Sequence, residues 1–218
     1  MSGNLVHELP EASRLALASA GRNRELWLAV FALDARIGSY VLGAQEPLLA
    51  QMRIAWWRDE LCKDAGSRPQ GDQLLDLIGQ TFGAQTEGLQ DLLNGWEALL
   101  AEAPLGTDAI TAFVEGRERL AVFLGDRLCA GKGKAAATIA ARAWALADLA
   151  HRLPDETDRA LALATAQESI RPAALPRAFQ PLAVLAGLSR RALGRGGSPL
   201  IGDRLSPLVA LRLGLFGR

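Results

Sequence analysis

The sequence predicts a single-domain, all-α, multi-helix bundle, and three observations carry that expectation. Apolar residues make up 50% of the 218-residue chain but aromatics only 6%. The apolar excess is mostly Ala and Leu, both strong helix formers. Apolar positions also recur at three- and four-residue spacing along most of the chain, and no stretch of useful length alternates as a half-buried strand does. At this length one domain buries roughly 70% of the surface its unfolded chain exposes, enough for one large core.

From Glu11 to about Leu42, the residues Leu15, Leu17, Leu26, Val30, Leu33 and Ile37 keep the helical spacing, and Gly21 marks a break between two helices. Glu46-Pro47 reads as the start of the next helix, because Pro in a first turn lacks an N–H that has no partner there anyway. The run PLLAQMRIAWWRDELCKD follows, and AGSRPQGD ends it. Helical patterns resume at about 72–81, 87–102, 108–130 and 134–152, separated by Gly83, AEAPLGTD and GKGK. Thr107 or Asp108 is placed to cap the helix from 108. The last third holds a polar helix at about 155–169, the stretch RPAALPRAFQPLAVLAGLSRRALGR, a turn at GRGGSPL and an apolar helix at about 203–216. Segments 134–150 and 181–194 are apolar on more than one face, as helices surrounded by other helices are. With no internal repeat and no low-complexity linker, residues 1–218 read as one domain.

Lys plus Arg and Asp plus Glu both number 24, so no global field draws in nucleic acid, and no nucleic-acid partner is expected. Cys62 and Cys129 lie far apart beside apolar residues, which predicts reduced, buried thiols in a cytoplasmic protein. The start MSGNLVHELPEASR lacks a basic stretch followed by an apolar one, so no cleaved secretion signal is expected. No uninterrupted apolar run of spanning length occurs, so no membrane span is expected either.

The densest chemistry is Gln51-Met52-Arg53-Ile54-Ala55-Trp56-Trp57-Arg58-Asp59-Glu60-Leu61. Trp56 and Leu61 are placed on a different face from Trp57 and Arg53. One ring then packs in the core while Arg53 stacks on an aromatic ring or pairs with an acid; the alternative is a face turned to a ligand. His7 and His151 have no second His or Cys at ligand spacing, so no zinc site is expected. His7 reads as a solvated terminal residue and His151 as a charge near a helix C-terminus. GKGK and GRGG lack the longer phosphate-loop patterns and read as turns, and Gly-x-Ser-x-Gly is absent.

The stretch Leu26-Trp27-Leu28-Ala29-Val30-Phe31-Ala32-Leu33-Asp34-Ala35-Arg36, followed by Glu46-Pro47 and by Arg53-Ile54-Ala55-Trp56-Trp57-Arg58-Asp59-Glu60-Leu61, resembles the squalene/phytoene synthase family. It is most similar to the short non-carotenogenic branch that includes a mitochondrial complex I assembly factor. Weaker similarity runs through Asn94-Gly95-Trp96-Glu97, Ala143-Trp144-Ala145-Leu146-Ala147-Asp148-Leu149 and Leu175-Pro176-Arg177-Ala178. The resemblance implies the isoprenoid synthase fold.

Enzymes of that family hold Mg²⁺ and substrate diphosphates between two aspartate-rich motifs on facing helices, since a hard divalent cation needs converging oxygen ligands. Where the first motif should fall the chain reads Arg36-Ile37-Gly38-Ser39-Tyr40, with Asp34 the only nearby acid; where the second should fall it reads Asp148-Leu149-Ala150-His151-Arg152. The resemblance thus implies that arginines stand in place of both motif acids. Arg36 and Arg152 are expected to face one another across the old cavity, neutralised by Asp34 and Asp148 respectively; ordinary solvated helix charges are the plainer alternative. The candidate cavity or ligand-binding residues are Asp34, Arg36, Tyr40, Arg53, Trp57, Asp148 and Arg152. No catalytic or metal-ligating residue is assigned. The expected function is that of a pseudoenzyme, cytoplasmic or peripheral to the inner membrane, needing no cofactor and binding a protein partner at the inner membrane face, such as subunits of the respiratory NADH dehydrogenase. The alternative is an active, Mg²⁺-dependent prenyltransferase condensing prenyl diphosphates head to head, or a binder of an isoprenoid lipid or diphosphate.

Overall fold

The computed structural model describes residues 3–129, 131–167, 171, 174–202 and 206–216. Among these it is all helical: α1 (Gly3–Glu8), α2 (Glu11–Leu17), α3 (Arg24–Leu42), α4 (Pro47–Cys62), α5 (Gln73–Phe82), α6 (Glu87–Glu97), α7 (Gly106–Cys129), α8 (Lys134–Arg152), α9 (Glu156–Gln167), α10 (Gln180–Leu193) and α11 (Ser206–Phe216), with short 3₁₀ turns such as Gly21–Asn23 and Ala98–Leu100. No strand occurs among the described residues. Helix α1 lies outside the expected set, and residues 203–205 and 168–169 of the expected terminal helices fall outside the described residues.

Local chemistry sets the boundaries. Asp72 caps α5, its Oδ1 accepting from the N–H groups of Leu74 (2.8 Å) and Leu75 (3.0 Å), which satisfies two donors that a first turn leaves open. The cap of α7 comes from elsewhere. The Asp158 carboxylate on α9 accepts from the backbone N–H groups of Leu105 (2.9 Å) and Gly106 (3.3 Å), while Thr107 and Asp108 lie inside the helix rather than at its cap. In the GKGK turn, Gly131 and Gly133 take φ of 82° and 78°, a conformation that favours glycine.

Helix α8 is packed among α7, α9 and α10, and its buried residues include Ala137, Ala140, Ala141 and an unbroken run from Ala143 to Ala150. That accounts for a sequence apolar on several faces. Helix α3 is similarly enclosed by α1, α2, α4, α5 and α6. Helices α6 and α7 cross at Gly95 and Gly116, where a Cβ on Gly116 would lie 2.6 Å from the Asp91 carbonyl oxygen and 3.0 Å from the Gly95 Cα.

Helix α4 lies on the outside. Trp57 (1% exposed), Ile54 and Leu61 face the core, whereas Trp56 (42%) and Arg53 face outward. The two rings do point apart, but Leu61 shares the inner face with Trp57, contrary to the sequence expectation, because four residues bring a helix round by little more than one turn. Cys62 is a second correction: it is exposed at the end of α4, and Cys129 is half-buried; both are free thiols. His7 and His151 are exposed. No helix among the described residues is long and apolar enough to cross a membrane.

The α6–α7 crossing leads to the first prediction. Gly116→Ala forces a methyl group into backbone atoms, and overpacking of this kind costs about 1–3 kcal/mol. Chemical denaturation should show a lower midpoint at unchanged slope, and an unchanged midpoint would mean that the helices are not in this contact.

Candidate functional site: a buried charge centre

The interior of the bundle holds ionised groups that its apolar sequence pattern does not advertise. Arg117 on α7 is 1% exposed and lies between Asp34 of α3 and Asp148 of α8. Its Nη2 donates to Asp34 Oδ1 (2.9 Å) and Oδ2 (3.0 Å) and to Asp148 Oδ2 (2.8 Å), and its Nε donates to Asp34 Oδ1 (3.2 Å). Trp96 Nε1 of α6 adds a donor to Asp34 Oδ1 at 2.9 Å, and Arg152 Nε donates to Asp148 Oδ1 at 2.6 Å.

Aromatic rings supply the remaining surroundings. The Arg117 guanidinium carbon is 4.0 Å from the centroid of the Trp144 ring, 4.6 Å from that of Phe113 and 5.4 Å from that of Trp96. Its Nη1 is buried without a hydrogen-bond partner among the described residues, so the ring faces are its main compensation. Two carboxylates and two guanidiniums make the group formally neutral.

Small residues make the geometry possible. Gly38 stands one turn after Asp34 on α3, and a Cβ there would lie 2.8 Å from the Trp96 ring; its absence lets the indole lie on α3 with its N–H at Asp34. Gly116 brings α7 against α6 one residue before Arg117. Asp148 and Arg152 are four apart on α8, the spacing at which helix side chains meet.

The two acids differ electrostatically. Burial pushes the Asp34 carboxyl above the ordinary carboxylate range and Asp148 adds repulsion, together outweighing Arg117 and the Trp96 hydrogen bond. Burial acts on Asp148 too, but Arg117 and Arg152 together outweigh it and hold that carboxyl below the ordinary range. For Arg152, burial opposes the charge, yet Asp148 dominates and raises its pKa. Beside this centre opens a cleft of about 280 Å³, lined by Asp34, Gly38, Trp96, Arg152 and Glu8 among others. A larger opening of about 910 Å³ lies near Arg22 and Arg177, away from these groups. Both of those arginines are exposed. The charge centre, with ionised groups removed from water, is the stronger candidate.

Of the seven residues singled out by sequence, Asp34, Asp148 and Arg152 meet here. Arg36 does not. It bonds Glu8 through Nη2 (2.8 Å) and Asp72 through Nη1 (3.0 Å), and it lies 5.8 Å from the centroid of the buried Trp57 ring. Residues two apart on a helix point about 200° away from each other, so Arg36 could not pair with Asp34 or face Arg152 across the interior. Tyr40 and Arg53 form a separate stacked pair, with 5.1 Å from guanidinium to ring centroid. Sequence reasoning missed Arg117, Phe113, Trp96 and Trp144 as parts of this site. A signal existed: Ile110, Phe113, Val114, Leu120, Ala121 and Leu124 form the buried stripe of α7, and Arg117 sits on that stripe.

Two predictions rest on this centre. Arg117→Ala leaves two buried carboxylates without their shared cation, a loss of about 3–5 kcal/mol, readable by urea denaturation; a loss under 1 kcal/mol would mean that the acids are hydrated instead. The second concerns pH. Because its folded pKa is raised, Asp34 takes up a proton first as pH falls from neutral, and this favours the folded state. Because its folded pKa is depressed, the stability that Asp148 contributes is present above its unfolded value near 4 and is lost as pH drops further. Unfolding free energies between pH 3 and 7 should therefore show a steep loss at the acid end that Asp148→Asn removes and Asp34→Asn leaves in place. No known family, no curated protein and no solved structure matches this chain.

Proposed function

We propose that this chain is a squalene/phytoene synthase-like bundle that has exchanged catalysis for binding, and that it serves as an assembly or stability factor for a protein partner. One observation carries the proposal. Carboxylates from two different helices converge on one point, as a magnesium–diphosphate centre requires, but the cation at that point is the side chain of Arg117, within 2.8–3.0 Å of both acids.

The residues present do not suit Mg²⁺. The ion needs several oxygen ligands in octahedral array, and here both acids are already committed to guanidinium groups. A divalent cation beside Arg117 would meet a fixed positive charge at close range in a poorly screened interior. The adjoining cleft, about 280 Å³, falls below the usual size of a pocket for a small organic ligand. The rings of Trp96, Trp144, Phe113 and Phe31 fill the interior around the charges.

The partner proposed from the resemblance is a subunit of the respiratory NADH dehydrogenase at the inner face of the membrane. Purified protein incubated with farnesyl or geranylgeranyl diphosphate and Mg²⁺ should release no pyrophosphate; release would overturn the non-enzymatic reading. Used as bait on detergent-solubilised native membranes, the protein should recover NADH dehydrogenase subunits. Recovery of none would remove this partner while leaving the pyrophosphate result to stand by itself.

A further inference from the structure

Helix α4 exposes an apolar stripe that the fold does not use: Leu48 (65% exposed), Leu49 (51%), Met52 (62%) and Trp56 (42%). Its inner face is fully occupied by Ala50, Ile54, Trp57 and Leu61. With one residue per 100° of turn, Met52 stands at the middle of the outer face, Leu48 and Trp56 lie about 40° to either side, and Ala55 and Leu49 about 60° to either side. Together the exposed side chains offer roughly 500 Å² of apolar surface, in the upper range of the largest apolar patch on a monomer, which is often functional.

We infer that this face pairs with the same face of a second copy, the two α4 helices running antiparallel across a two-fold axis. The pattern is self-complementary in that arrangement. Leu49, Met52 and Trp56 have the three- and four-residue spacing of a helix–helix seam. When the helices run antiparallel, Leu49 of one copy opposes Met52 of the other, twice over. The flanking positions then match as well. At one edge Glu46, the N-cap residue immediately before α4, and Arg53 are seven residues apart and of opposite charge, so each Arg53 faces the other copy's Glu46. On the other edge Leu48 meets Ala55, whose small side chain lets the helices approach.

Both charged residues are positioned for this. Glu46 is exposed and makes no ion pair among the described residues, and Arg53 is exposed and held at its edge by stacking on Tyr40. A two-fold contact of this size buries roughly 1,000 Å² in total, at the lower limit for a specific interface, so the association is weak and reversible. The opposite charges of Glu46, at the N-cap of α4, and Arg53, on the helix, favour a second copy over a lipid surface, which offers no carboxylate in register with Arg53.

Sedimentation equilibrium on the full chain tests this. The protein should populate dimers as its concentration passes through the micromolar range, and Met52→Glu should be monomeric up to roughly 100 µM. Glu46→Arg and Arg53→Glu should each weaken dimerisation about tenfold, and the double variant should restore it. Within one copy Arg53 stacks on Tyr40 and does not pair with Glu46, so this rescue reports a contact between copies. Circular dichroism and thermal unfolding confirm that each variant folds. A monomer at all concentrations, a dimer insensitive to Met52→Glu, or a double variant no better than the singles would overturn the pairing. A monomer that binds phosphatidylcholine–phosphatidylglycerol vesicles through Met52 would also overturn it, assigning the face to lipid.

Discussion

One guanidinium holds the interior of this bundle in register. Moving Arg117, Asp34 and Asp148 out of water carries a penalty of several kcal/mol per ion. It is offset only where α3, α7 and α8 bring the charges to hydrogen-bonding distance and α6 adds the Trp96 N–H. A slip of any one of these helices by a single turn, about 5.4 Å, would strand a buried charge. Apolar packing tolerates rearrangement more readily, because aliphatic contacts are non-directional and cores accept many arrangements that keep total volume and pattern. In a core made so largely of those two residues, the ion cluster supplies the discrimination that shape alone does not.

The cluster is not symmetric, and its asymmetry follows from where the helices end. Asp148 and Arg152 sit in the last two turns of α8, where Arg152 reaches solvent with a side chain 34% exposed while still bonding the buried acid. Its charge also favours a helix C-terminus. Asp34 lies in the middle of α3, shares Arg117 with Asp148 and has no second cation bonded to it among the described residues. Asp34 is therefore the group more readily neutralised by a proton, and Asp148 the one that remains ionised. The 280 Å³ cleft is lined by Asp34 and Arg152 together, so the centre lies nearest to open space on that side.

The sequence shows the helices more clearly than it shows their assembly. Apolar spacing, Pro47 in a first turn and the glycines of GKGK locate elements within a few residues, because those signals act within one or two turns of the chain. Asp148–Arg152 was legible for the same reason, being an i,i+4 pair. Motif similarity points Arg36 at the interior, but helix geometry does not: two residues from Asp34, it faces away and pairs with Glu8 and Asp72. The other partners of Asp34 lie 62 and 83 residues along the chain, at Trp96 and Arg117, where no local periodicity can connect them. What the sequence does offer is an anomaly, an arginine where the stripe of α7 calls for an aliphatic residue. Such a position requires a buried counter-ion, though it does not say which acid provides it. The cap of α7 follows the same pattern, since Asp158 reaches it from another helix.

The adjacent tryptophans of α4 divide between the interior and the surface. Trp57 anchors the helix and packs beneath Arg36, while Trp56, one residue before it, is left exposed at an 85° interplanar angle to it. The anchor explains the inner ring; packing within one chain does not call for the outer one. The centre is filled by aromatic rings and matched charges, while α4 presents a continuous apolar stripe at the surface. A protein partner that used this stripe would compete directly with the proposed second copy. The two would be linked by mass action: raising the concentration of the chain would lower its apparent affinity for such a partner, whereas binding at any other face would be indifferent to it.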